Sequence, residues 1–234
     1  MRRLEGKVAI VTGGSKGIGK AIGRALAEEG ARVVLSGRTS APLLQAVEEL
    51  KVAGFQAMGV QGDVAKEADA ARLVKEAMQT FGRVDILVNN AGMGIFKPVI
   101  ELTVEDFDTM FATNMRGVFL VTKAVLPHMM KVQSGEIVNI ASLAGKNSFK
   151  GGAGYSATKW ALRGFAGSLM LEVREFNIRV VTICPGSVET SFSAGGKKGT
   201  NITQPEDVAS AVIFAVTAPE RTMFSEIDVR PTRP

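Results

Sequence analysis

The chain's only tyrosine, Tyr155, lies one helical turn before Lys159 in the run Tyr155-Ser156-Ala157-Thr158-Lys159. Side chains at i and i+4 are neighbours on one helix face. An ammonium beside a phenol favours the phenolate and lowers the phenol's pKa from about 10. A general acid or base working near neutral pH needs that shift. An isolated pair of this kind is commonly just two residues on an amphipathic helix, but no second phenol competes for the role here. A second chemical signal is Thr12-Gly13-Gly14-Ser15-Lys16-Gly17-Ile18-Gly19. Glycines at 13, 17 and 19 permit a tight turn of bare backbone at a helix start, which aims N–H groups and the positive helix end at a phosphate. The spacing is not G-x-G-x-x-G, so the reading rests on context: an apolar run precedes and a helical pattern follows. A third signal is Ser36-Gly37-Arg38-Thr39. Dinucleotide folds that prefer NAD place an acid here, whereas an Arg accommodates the 2′-phosphate of NADP through its planar fork. Lys16 can reach the same phosphate. Either cation alone reads as a solvated surface group. Together, with no acid between Arg32 and Arg38, they predict NADP(H). Gly62-Asp63-Val64, Asn89-Asn90-Ala91-Gly92 and Ala141-Ser142 each follow an apolar run and singly read as polar turns.

Positioning these residues requires a regular frame. Continuous apolar runs predict buried strands at Lys7–Thr12, Arg32–Ser36, Val84–Val88, Glu136–Ala141 and Ile178–Cys184, with weaker ones at Gln56–Gln61 and Ser225–Arg230. Helical spacing predicts helices over Gly17–Glu29, Leu43–Ala53, Ala65–Phe81, Thr103–Met130, Gly154–Phe176 and Pro205–Val216. Thr103 followed by Glu105 and Asp106 resembles a capped start, and Pro205 suits a first turn. Alternating strands and helices predict an α/β fold: one doubly wound, Rossmann-type parallel sheet with helices on both faces. In such sheets ligands bind beyond the carboxyl ends of the strands, which is where the glycine turn, Gly37-Arg38 and the three polar turns fall.

Composition narrows the function classes. Of 234 residues, 46% are hydrophobic and 22% charged, which excludes a disordered chain. With no linker or repeat, one domain spanning 1–234 is expected. Lys plus Arg number 28 against 23 Asp plus Glu, a net +5 without any basic stripe, so no nucleic-acid partner is expected. One Cys and one His argue against a disulfide, a structural zinc or any metal centre. No apolar run approaches the ~18 residues that span a bilayer, so no membrane association is expected. The short N-terminal apolar run is unlike a leader core, and a cytoplasmic location is predicted. Cys184 and His128 read as packing and surface residues.

Taken in order, Thr12-Gly13-x-x-x-Gly17-x-Gly19, Asp63, Asn89-Asn90-Ala91-Gly92, Asn114, Ser142, Tyr155-x-x-x-Lys159 and Pro185-Gly186 resemble the motifs of the short-chain dehydrogenase/reductase family over essentially the whole chain. Leu4-Glu5-Gly6-Lys7-Val8-Ala9 and Tyr155–Lys159 look most like its 3-oxoacyl-acyl-carrier-protein reductases. The resemblance implies a catalytic set of Asn114, Ser142, Tyr155 and Lys159. Tyr155 protonates a carbonyl oxygen as the cofactor delivers hydride, Ser142 hydrogen-bonds that oxygen, and Lys159 holds the nicotinamide ribose and depresses the Tyr155 pKa. Asn114 sits at a helix irregularity and anchors a relay water. The implied cofactor site comprises Gly13, Ser15, Lys16, Gly17, Ile18, Gly19, Arg38, Asp63, Val64, Asn90, Ala91, Gly92, Tyr155, Lys159, Pro185, Gly186, Val188 and Thr190. The cofactor brings the redox chemistry; the protein orients it and tunes the acid.

The sequence departs from that family pattern in three places. Residues 187–203 are short and rich in Ser, Gly and Lys where relatives carry covering helices, so 191–200 predicts a shallow, mobile lid. The glycine-rich ending after the last strand is missing. Gln133 and Phe176 stand where carrier-protein reductases hold docking arginines, which argues against carrier-protein docking. The expected function is NADP(H)-dependent reduction of a small-molecule carbonyl, with a 3-oxoacyl thioester first and a broader range of ketones, aldehydes or sugars second. A non-catalytic NADP-binding regulator is the third possibility, and the intact Ser–Tyr–Lys set argues against it. Helices over 103–130 and 154–176 look too apolar all round to leave one side in water, and the resemblance, in which the equivalent helices pair across a two-fold axis, implies a homo-oligomer, a dimer or tetramer.

Overall fold

Val8–Thr12 (β1) is buried at every position, as an apolar run must be inside a sheet covered on both faces. Its side chains alternate between the two covers. Ala9 and Val11 belong to one apolar cluster with Ile22, Leu26, Leu43, Val208 and Val212, while Val8 and Ile10 belong to the other with Leu73, Val74, Val121, Val125 and Leu169. In this computed structural model, which describes residues 2–190, 192 and 202–232, that pattern extends over a seven-stranded sheet. Its other strands are Arg32–Gly37 (β2), Ala57–Gln61 (β3), Ile86–Asn89 (β4), Gly135–Ile140 (β5), Ile178–Pro185 (β6) and Glu226–Val229 (β7). The order is β3-β2-β1-β4-β5-β6-β7, and every pairing is parallel. The predicted doubly wound α/β fold is therefore the observed one. Strand order reverses between β1 and β4, which is where a doubly wound sheet opens a crevice.

The helices are Gly17–Glu28 (α1), Ser40–Val52 (α2), Glu67–Phe81 (α3), Val104–Phe111 (α4), Gly117–Val132 (α5), Ala153–Val173 (α6) and Pro205–Val216 (α7). Two starts differ from expectation for local reasons. α2 begins at Ser40 because Pro42 is tolerated in a first turn. α3 begins at Glu67 because the carboxylate of Asp63 accepts from the Ala65 N–H and holds Ala65 in a turn. Thr103 caps α4 as expected: its hydroxyl accepts from the Asp106 N–H and the Asp106 carboxylate accepts from the Thr103 N–H. The continuous helix expected from Thr103 to Met130 is instead three segments. Ala112–Arg116 forms a π-helical turn between α4 and α5, and such insertions mark functional positions in many folds. α6 ends at Val173 and tightens into a 3₁₀ turn over Arg174–Phe176. Phe176 packs partly buried against the second core. The expected lid segment 191–200 lies outside the described residues apart from Phe192. No helix among the described residues is long and apolar enough to cross a membrane.

Candidate active site

The loops after β1 and β4 are bound into one unit. The Thr12 hydroxyl accepts from the Asn90 and Ala91 N–H groups at 3.0 Å each. Asn90 Nδ2 donates back to the Thr12 and Gly13 carbonyls. Gly13 (φ 64°) and Gly17 (φ 53°) take left-handed backbone that side-chain-bearing residues rarely adopt. A Cβ on Gly13 would lie 2.9 Å from Ala91 Cα, and one on Gly19 would run into the Gly13 carbonyl and Asn90 Nδ2. Gly19 is buried, Ile18 packs half-buried against the first core, and Lys16 stands exposed at the start of α1. α1 has no side-chain cap and no acid in its first turn, so its N–H groups and positive end are offered to an anion. These features fit a dinucleotide diphosphate.

Neighbouring loops surround this turn. Ser15 Oγ lies 3.3 Å from where a Gly37 Cβ would be, which brings the end of β2 beside the glycine turn. Arg38 follows it, exposed, its carbonyl accepting from Gln61 Nε2. Asp63 sits at the end of β3, accepting from the Ala65 N–H and donating its own N–H to Asp69. Val64 is buried, and a Cβ on Gly117 would meet its Cγ2 at 2.7 Å. On the other side, Gly186 donates to the Val229 carbonyl, Val188 bridges to Thr203, and the Thr190 methyl lies 3.4 Å from the Cβ position of Gly17.

The side chains expected to be catalytic lie across the crevice. Asn114, in the π turn, is 1% exposed. Its Oδ1 accepts from the Met93 N–H, and its Nδ2 donates to the Met93 carbonyl and to Thr158 Oγ1. The Cβ position of Gly92 lies 3.4 Å from Asn114 Oδ1 and 3.7 Å from Lys159 Nζ, so these three residues meet. Ser142 Oγ accepts from the Ala144 N–H at 3.1 Å and donates weakly, at 3.5 Å, to the Pro185 carbonyl.

The expected lowering of the Tyr155 pKa is not found. Burial pushes the phenol up to about 12, with its hydrogen bond to Ser142 pulling the other way. Lys159 Nζ lies 5.8 Å from the centre of the Tyr155 ring and donates to the Ile140 carbonyl at 2.9 Å. Burial pushes its own pKa down to about 8. Desolvation outweighs a charge held at that distance and turned toward a carbonyl.

Residues 7–200 match the family described as short chain dehydrogenase. The chain belongs to the short-chain dehydrogenase family. Among the relatives of this short-chain dehydrogenase, an uncharacterized oxidoreductase of Staphylococcus aureus is 37% identical over 99% of this chain and 100% of its own. One from Staphylococcus epidermidis is 35% identical over the same shares. A metagenomic short-chain oxidoreductase solved in complex with NADP is 36% identical, with a TM-score of 0.88 over 99% of this chain and 100% of its own. An alcohol dehydrogenase from the archaeon Thermococcus sibiricus, complexed with 5-hydroxy-NADP, is 32% identical, with a TM-score of 0.90 over 97% and 98%. The chain is an oxidoreductase of this family.

Sequence reasoning missed two features of this short-chain dehydrogenase. Phe96 and Phe192 pack against Tyr155 and Phe149 packs on Phe96, although the three come from separate loops; the only signal was an aromatic after each of three polar turns. Lys146 bridges Glu226 and Asp228, with Arg163 on Glu226, tying β7 to the loop after Ser142. Charge alone gives no sign of such pairing.

Proposed function

We propose that the chain is an NADP(H)-dependent carbonyl reductase that runs as an alcohol dehydrogenase in reverse. The observation that carries this reading is the convergence of a buried Tyr155, Ser142 and Lys159 on the crevice that also exposes an uncapped, glycine-lined helix start. The turn Gly13–Gly19 takes the diphosphate, and Lys16 and Arg38 take the 2′-phosphate. Asp63, Val64, Asn90 and Ala91 flank the adenosine, and Lys159 holds the nicotinamide ribose. Gly92, Pro185, Gly186, Val188 and Thr190 border the nicotinamide. When bound, the cofactor supplies a hydride to the carbonyl carbon and accepts one from the alcohol in reverse.

Tyr155, held protonated by its high pKa, donates its proton to the carbonyl oxygen. Ser142 donates a hydrogen bond to the same oxygen, its present 3.5 Å bond to Pro185 being weak enough to exchange. Lys159, as an ammonium, steadies the phenolate left behind. Asn114 fixes Met93 and Thr158 around Lys159 and belongs to the relay that returns a proton to Tyr155. The resemblance to 3-oxoacyl reductases supports a 3-oxoacyl thioester substrate, while the rings of Phe96 and Phe192 against Tyr155 favour the ketone alternative. The test is NADPH oxidation on a carbonyl panel. Tyr155→Phe is expected to lower kcat by at least the ~10²-fold typical of acid–base catalysis while NADPH still binds. A variant that retains more than a tenth of wild-type kcat overturns the mechanism.

A further inference from the structure

Two of the chain's 12 phenylalanines pack against its one tyrosine, and a third packs on one of those two. Phe96 stands edge-on to Tyr155, with ring centres 5.4 Å apart and planes at 77°. Phe192 lies 5.8 Å from Tyr155 at 55°. Phe96 also touches Phe192 at 6.4 Å and Phe149 at 5.8 Å. None of the three is core: they are 42%, 46% and 41% exposed for Phe96, Phe149 and Phe192, while Tyr155 beneath them is only 8% exposed. Two glycines seat the rings. A Cβ on Gly94 would lie 2.7 Å from Phe96 Cζ and 3.1 Å from Phe192 Cε1, and one on Gly152 would run into the Phe149 ring. The backbone is thus bare where the rings lie down on it. The rings shield the phenol from water on one side, and their own outer surfaces stay wet. Apolar surface of this kind gains most when a ligand covers it.

Resting on the reductase reading above, we propose that Phe96, Phe149 and Phe192 form a ring-binding wall that selects ketones bearing an aromatic or alicyclic ring next to the carbonyl. A carbonyl oxygen placed at Tyr155 and Ser142 puts its neighbouring substituent beside Phe96 and Phe192, with Phe149 extending the wall from Phe96. Edge-to-face and offset contacts reward a rigid ring there. A flexible acyl chain covers the same surface only by freezing its own torsions, which costs entropy at each one. The wall therefore separates cyclic ketones from open-chain 3-oxoacyl substrates at the same catalytic centre.

The experiment compares acetophenone with an open-chain methyl ketone of the same carbon number, using purified enzyme and NADPH. Two ring contacts of ordinary strength predict a kcat/KM preference for acetophenone of about tenfold or more, expressed mainly in KM. Phe96→Leu and Phe149→Leu are expected to cut that preference to about threefold or less. Gly152→Ala keeps every ring but displaces Phe149, and its backbone (φ −100°) suits alanine; it is expected to act like Phe149→Leu. A readout free of turnover is calorimetric titration of each ketone's product alcohol onto the NADPH-loaded enzyme, a dead-end complex. The ring-bearing alcohol is expected to bind at least about tenfold tighter. Equal kcat/KM for the two ketones, or equal binding of the two alcohols, overturns the wall and leaves the reductase reading standing. Absence of turnover on any carbonyl overturns the reductase reading, and the calorimetric comparison then still decides the wall.

Discussion

Lys159 is the residue with the most unusual environment in the crevice. It is a cation 5% exposed in the native chain, with its pKa at about 8 against an ordinary 10.5. The folded state therefore gives up this proton more readily than the unfolded chain. Between the two values the unfolded chain binds more protons, so stability rises with pH across that window. Tyr155 acts in the opposite sense, because its native pKa of about 12 exceeds the ordinary 10 and stability falls above pH 10. Apo protein is thus expected to gain stability from pH 8 to 10, on the order of 3 kcal/mol from Lys159 if its whole shift is expressed. Lys159→Met is expected to flatten that rise, and urea unfolding across the range measures it; an unchanged pH slope in the variant contradicts the assignment. Arg38 carries a second expectation. An Arg–phosphate pair contributes roughly 1.5–3 kcal/mol, so Arg38→Ala is expected to raise KM for NADPH about tenfold or more and leave NADH nearly unaffected. Equal KM for both cofactors in the unmodified chain would sink it. The Tyr–Lys pair and the Gly37-Arg38 step were legible in the sequence because each depends only on local spacing. The direction of the Tyr155 shift was not legible, because burial is set by segments distant in the chain, Phe96 and Phe192 among them.

At the scale of elements, the decisive device is the pair of loops after β1 and β4. Thr12 and Asn90 fix them to each other by side-chain-to-backbone bonds that ignore sequence distance. The glycines of the first loop are required by sterics: Gly19 has no room for a methyl group between the Gly13 carbonyl and Asn90. Gly19→Ala is therefore expected to destabilise the fold by roughly 1–3 kcal/mol, the usual cost of overpacking. It is also expected to weaken dinucleotide binding disproportionately, because the loop that must yield is the one proposed to take the diphosphate. Thermal unfolding and a fluorescence titration with NADPH check the two effects, and a variant binding NADPH as tightly as wild type would contradict the placement. Strands and most helices were legible because apolar runs and 3.6-residue spacing are strong local signals. The π turn at Ala112–Arg116 was not, since Phe111, Met115, Val118 and Phe119 continue an apolar helical pattern through it. Only the resemblance placed an irregularity at Asn114. What holds the turn open is tertiary: the Asn114 side chain bonded to Met93 and Thr158.

At the scale of the whole molecule, α6 carries an unexplained expense. Trp160, Gly164, Gly167 and Leu171 follow i, i+4, i+7, i+11 spacing, and all four are exposed, Trp160 by 49% and Leu171 by 62%. Phe119 on α5 is 45% exposed. A glycine inside a helix costs about 1 kcal/mol relative to alanine, and Gly164 and Gly167 have nothing within 4 Å of their Cβ positions. Within one chain the two glycines gain nothing for that cost, and the flanking large apolar side chains face water. Close approach of a second helix backbone accounts for both facts, because small residues admit it and the flanking apolar groups are then covered. The expectation is a homo-oligomer assembled through α6, sedimenting at no less than twice the 24.8 kDa chain at micromolar concentration. Gly167→Leu is expected to shift it toward monomer. Gly164→Ala separates the two accounts further. On a helix face open to water it stabilises by about 1 kcal/mol, whereas in a close helix–helix contact it destabilises through overpacking. A lone 24.8 kDa species together with a stabilising Gly164→Ala would leave α6 as a solvent-facing helix and remove the argument for assembly.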